Sequence, residues 1–174
     1  MATIRLDLSS ANPLASKNVV ALHARAPERL VGIGFRCWFT GFANGDIGCW
    51  EEAWSAFSST LGNDRAQLLL LDLSQFVRAV SSTTERDIQV QAPGCRGFCR
   101  DECLAISMIA ACQHGARDAL KTSAAALIGS DAFGDALQGA QVFACGLKSA
   151  HQVLSADSVC PATCALQVGR SRLM

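Results

Sequence analysis

Tyrosine is absent from this chain of 174 residues, and histidine (3) and proline (4) are scarce. With so few histidines the chain holds no Glu-x-x-His pair of a ferritin-like di-metal site and no His-Glu-x-x-His zinc signature, and neither a Ser-His-Asp order nor a phosphate-binding loop is present. An excess of one charge is also missing. Fifteen basic and fifteen acidic side chains leave no field to attract nucleic acid or an anionic membrane surface. Long apolar runs are missing too: the uncharged stretches Cys103 to Ala116 and Ala136 to Leu147 fall short of the ~20 residues that span a bilayer. Met1 to Ser10 contains no basic stretch followed by an apolar run, so the reading predicts no secretory signal and a cytoplasmic location.

What remains is the composition of a folded domain, half apolar and 17% charged. A chain of this length buries roughly 70% of its unfolded surface and needs no staples. One domain over residues 1–174 is expected, without repeat, low-complexity segment or linker.

Helical spacing dominates. Asn12-Pro13 opens a first helix with Leu14, Val19, Val20 and Leu22 on its apolar face, ended by Pro27. Leu30 to Phe42 is ambiguous, because Ile33, Phe35, Cys37 and Phe39 alternate like a strand; with Ile88 to Val90 they form a candidate minor strand pair. Asn44-Gly45-Asp46 is a turn and cap, followed by a stripe of Ile47, Trp50, Trp54, Phe57 and Leu61 that is read as core. A second helix runs from Asn63-Asp64 to Val80, and Ser81 to Asp87 reads as an exposed loop.

Leu104, Ile106, Met108, Ile109 and Cys112 make the most apolar helix, expected at the centre and ending near His114-Gly115. Ala116 to Ile128 gives another. A last long helix, capped by Ser130-Asp131, carries Phe133, Leu137, Ala140, Ala144, Leu147, His151 and Leu154 in alternating steps of four and three, so a partner helix is expected along its length. Gly139 and Gly146 on that stripe would admit a close backbone or weaken the helix. The fold class is therefore mainly α, a single helical-bundle-like domain of about six helices with a minor two-strand element.

Nine cysteines are the chemical surplus of this chain. An odd number cannot all pair, and a reducing compartment argues against a disulfide framework. Cys37, Cys49, Cys112 and Cys145 stand among small or apolar neighbours and read as buried packing residues. Cys95, Cys99 and Cys103 form a Cys-x3-Cys-x3-Cys run, with three residues between neighbours, in Gly94-Cys-Arg-Gly-Phe-Cys-Arg-Asp-Glu-Cys103. A helix starting near Asp101 would set its positive end, with Arg96 and Arg100, beside these thiols and favour thiolates. Cys160 and Cys164 supply a second Cys-x3-Cys pair, so the metal set is Cys95, Cys99, Cys103, Cys160 and Cys164, with zinc or an iron-sulfur cluster as cofactor.

The spacing matches neither a zinc ribbon nor a ferredoxin run. His114 lies about 16 Å along the helix from Cys103, too far for the same ion, and reads as a helix-end histidine; His151 reads as a core residue and His23 has no companion. Glu51-Glu52 and Asp101-Glu102 read as first-turn carboxylates. The expected function is metal or cluster binding for redox or sensing. The alternatives are a noncatalytic helical interaction domain, homo-oligomeric through its last helix, and a dithiol oxidoreductase using Cys99 with Cys95 or Cys103.

Overall fold

A computed structural model of the chain describes residues 5–6 and 25–159. Six helices carry the described fold: α1 (Ala26–Asn44), α2 (Ile47–Leu61), α3 (Asn63–Thr83), α4 (Arg100–His114), α5 (Arg117–Ile128) and α6 (Gly134–Ser149). Two-residue strands, β1 (Arg5–Leu6) and β2 (Gln89–Val90), pair in parallel, and a 3-10 turn spans Ala156–Ser158. The molecule is mainly helical, as the periodicity predicts. The helix expected from Asn12 lies outside the described residues.

The ambiguous segment Leu30 to Phe42 is helical, the interior of α1, so the strand candidate from Ile33 to Phe39 is overturned. Pro27 sits in the first turn of α1 and starts it, since proline needs no donor there. Gly45, at φ 67°, closes it in the left-handed conformation. The apparent alternation arises because α1 is buried on nearly all sides, so apolar residues recur at every spacing. Gly32, Gly34 and Gly41 are the places where Phe98, Leu73 with Phe57, and Trp50 press onto its backbone.

α4 is the other buried helix. Residues Leu104 to Ala111 are all sealed from solvent, and Ser107 meets Ser123 of α5 at 3.1 Å, satisfying both hydroxyls. α1 and α4 run antiparallel. At one end Arg36 meets Glu102; at the other Glu28 accepts hydrogen bonds from Ser155 N and Ser158 Oγ, while His114 and Gln113 hold the irregular segment Gln152 to Leu154. α2 and α3 form a hairpin joined by Gly62, and α6 packs along α3 and against α4.

Several local expectations shift. The buried face of α2 is Cys49, Ala53 and Phe57, so of the aromatic stripe only Phe57 is fully buried, and Ile47 and Trp54 face solvent. Glu51 and Glu52 lie beyond the first turn of α2. Ser81 to Thr83 belong to α3 rather than to a loop. α6 starts at Gly134, with Phe133 as cap in place of Ser130-Asp131, and stops at Ser149; His151, exposed at φ 58°, is past its end and not in the core. The partner helix of α6 is α3.

Candidate functional site

The cysteine segment and an apolar groove are the two places where the fold concentrates unusual chemistry. The first is built from the N-terminus of α4. Cys99 is its cap residue, in a capping-box arrangement with Glu102, whose carboxylate accepts from Cys99 N–H at 2.7 Å. The same carboxylate accepts from Gln91 N at 3.1 Å and from Arg36 Nε at 2.6 Å. Arg36 also donates to the carbonyls of Cys95 (2.7 Å) and Gly97 (2.5 Å), and its guanidinium lies 5.2 Å from the Phe98 ring centroid.

The Arg36 and Glu102 side chains are 1% and 0% exposed. Burial by itself would lower the arginine pKa, but the hydrogen bond and charge of Glu102 outweigh it and the pKa is raised. Asp101 plays the parallel role outside, accepting from Arg86 Nη1 and Nη2 at 2.9 and 2.6 Å and from Gln89 N at 2.8 Å. Residues 89–99 are thus tied down by two carboxylate-guanidinium pairs, the inner one sealed and the outer one half-exposed.

This arrangement disfavours a thiolate at Cys99 in the metal-free chain. Its thiol donates to Gln89 O at 3.0 Å, and burial, followed by the nearby Glu102 charge, pushes its pKa well above the ordinary range. Arg96 and Arg100, the cations expected to help, are exposed, and Arg36 faces Glu102. Cys95 is exposed, and Cys99 and Cys103 are half-buried. Among the described residues no three His, Cys, Asp or Glu side chains gather as metal ligands. Cys160 and Cys164 lie outside the described residues. Of the four cysteines read as packing residues, Cys37 and Cys49 are buried, Cys112 is half-buried and Cys145 is exposed.

The second place escaped the sequence reading. Between α2 and α3 lies a groove of about 530 Å3, bordered by Trp38, Ile47, Trp50, Trp54, Leu68 and Leu71. Four of these are large apolar side chains open to solvent: Ile47 65%, Trp54 41%, Leu68 67% and Leu71 59%. Trp38 packs on Phe42 and Trp50 with centroids 5.3 and 5.8 Å apart, and the Arg78 guanidinium caps Phe42 at 5.2 Å. The Trp38 and Trp50 indole N–H groups are buried with no hydrogen-bond partner among the described residues. Glu51 and Gln67 supply the polar margin.

Comparison with protein-family models, with curated proteins and with solved structures finds no match. Among the described residues no helix is long and apolar enough to cross a membrane. The residues overlooked in the sequence, Arg36 and Arg86, had one signal between them: an arginine inside the apolar run Ile33 to Phe39 requires a buried acid.

Proposed function

We propose that this chain is a noncatalytic helical interaction domain whose α2–α3 groove is the binding surface. One observation carries the reading: four large apolar side chains, Ile47, Trp54, Leu68 and Leu71, are exposed around a single groove. Together they leave on the order of 400 Å2 of apolar surface open, a patch size that on monomeric proteins is commonly functional. The cysteine segment supports the same reading, because its polar backbone is consumed in holding the fold and the Cys99 thiol is held protonated.

Titration with the apolar dye anilinonaphthalene sulfonate at about micromolar protein tests the groove directly. The full chain is expected to bind the dye, and a Leu68→Glu, Leu71→Glu double variant to lose most of that binding with an unchanged far-ultraviolet spectrum. Dye binding equal in the two proteins would sink the proposal.

A second reading keeps a zinc ion or iron-sulfur cluster on Cys95, Cys99 and Cys103 with Cys160 and Cys164. What favours it is that the exposed Cys95 and the half-buried Cys99 and Cys103 share one end of α4. Metal analysis with an absorption spectrum on protein purified without oxygen decides it: stoichiometric iron or zinc supports the site, and a blank removes it.

A further inference from the structure

The groove does not end at α3. A second depression of about 350 Å3, bordered by Arg65, Asp72 and Gly146, adjoins it through Leu68 and Leu71, which line both. The combined surface is an apolar centre with Glu51 and Asp72 of one sign and Arg65 of the other at its margins. A face with both signs on its rim is suited to meet a copy of itself, and the zero formal net charge of the chain removes long-range repulsion between copies.

The shape fits the same occupant. α2 and α3, of 15 and 21 residues, lie side by side with only Gly62 between them, and present a strip about 22 Å long and about 20 Å wide. Two such strips pressed together bury on the order of 1,000 Å2, the lower bound of a specific interface. Two helical hairpins meeting face to face build a four-helix bundle, a packing that needs apolar residues on the outer face of each hairpin. Ile47 and Trp54, two turns apart on α2, and Leu68 and Leu71, one turn apart on α3, occupy that outer face.

We infer that the groove is covered by a second copy of this chain, hairpin on hairpin, across a two-fold axis. The inference rests on the interaction-domain reading and names its partner. It moves the contact surface from the last helix to α2 and α3: α6 is occupied by α3 and α4, and its one large exposed apolar residue among those described is Val142.

Sedimentation equilibrium of the full chain from about 1 µM to about 500 µM, the range in which an interface of this size associates, tests it. The mass is expected to rise from 18.4 kDa toward twice that value. Leu68→Glu with Leu71→Glu should hold the chain at the monomer mass throughout, shifting the midpoint at least tenfold, and Val142→Glu should leave the wild-type curve unchanged. These three side chains are exposed, so circular dichroism should be the same for all proteins. A chain that stays monomeric, whatever other protein or small molecule the groove takes, overturns the dimer; dye binding that persists in that monomer leaves the interaction-domain reading standing, and absent dye binding removes both. A dimer that survives the double variant, or dissolves in Val142→Glu, also overturns it.

Discussion

Gly139 of α6 lies so close to Phe76 of α3 that a β-carbon on it would stand 2.8 Å from the Phe76 Cα. Seven residues on, a β-carbon at Gly146 would meet the Leu69 Cδ2 at 2.7 Å. The first obstacle is backbone and the second is the far end of a flexible side chain. Helices α3 and α6 approach through these two positions.

That difference predicts unequal costs. Gly139→Ala should destabilise by about 1–3 kcal/mol despite the helix propensity it gains, because a helix must move. Gly146→Ala should cost less, since Leu69 can change rotamer. Urea unfolding of the two variants checks the order, and a Gly146→Ala loss larger than that of Gly139→Ala would contradict the close-approach account.

The sealed pair of Arg36 and Glu102 leads to a second expectation. Glu102→Gln leaves a guanidinium buried without its counter-charge, which should cost about 3–5 kcal/mol. Arg86→Ala should cost less, because Arg86 is 29% exposed and water can reach the vacated place beside Asp101. Amide exchange adds a local readout: Gln91 and Cys99, whose N–H groups Glu102 accepts, should lose protection in Glu102→Gln ahead of the α4 core. Equal stability of Glu102→Gln and wild type would refute the pair's role.

Thiol accessibility gives a third. Mass-spectrometric mapping of alkylation near pH 8 should find Cys95 and Cys145 modified first among the described cysteines, both being exposed. Cys37 and Cys49, buried, should be modified only on unfolding, and Cys99 should lag behind Cys95 because its thiol is hydrogen-bonded and protonated. Cys99 reacting as fast as Cys95 would restore the activated thiol.

Alkaline pH should weaken the fold through the same chemistry. Burial, followed by the neighbouring Glu52 and Cys49, pushes the Cys37 thiol from 9.0 up to about 12, and Cys49 and Cys112 are pushed up to about 11. Above pH 9 the unfolded chain loses these protons while the folded chain keeps them, so stability is level below the ordinary thiol value and falls as pH rises toward 12. Cys37 accounts for roughly 1.4 kcal/mol per pH unit in that window. Urea unfolding at a series of pH values should give a shallower decline for Cys37→Ala; parallel declines would show that the thiol is not responsible.

Local signals in the chain were enough for its helices. Spacing, glycine stops and the Asp46 cap located α2 to α5 closely, because each rests on forces within a few residues. α1 stayed ambiguous in the sequence because Gly-x-Gly and the alternation of Ile33, Phe35, Cys37 and Phe39 imitate a strand inside a helix. The close approach at Gly139 was legible as one of two alternatives, and packing against Phe76 chose between them.

Which face of α2 turns inward was settled by where α1 and α3 lie. A stripe of Ile47, Trp50, Trp54 and Phe57 is equally apolar on paper, yet the neighbours take Cys49, Ala53 and Phe57 and leave Ile47 and Trp54 outside. The cysteine segment shows the same division. Its spacing and helix start were written locally, but the charge around Cys99 comes from the carboxylate of Glu102, and the arginine that engages that carboxylate arrives from 66 residues away. Periodicity and caps act along the chain and can be read there; helix rotation, buried charge and thiol ionisation depend on what packs from afar, and that depends on the assembled fold.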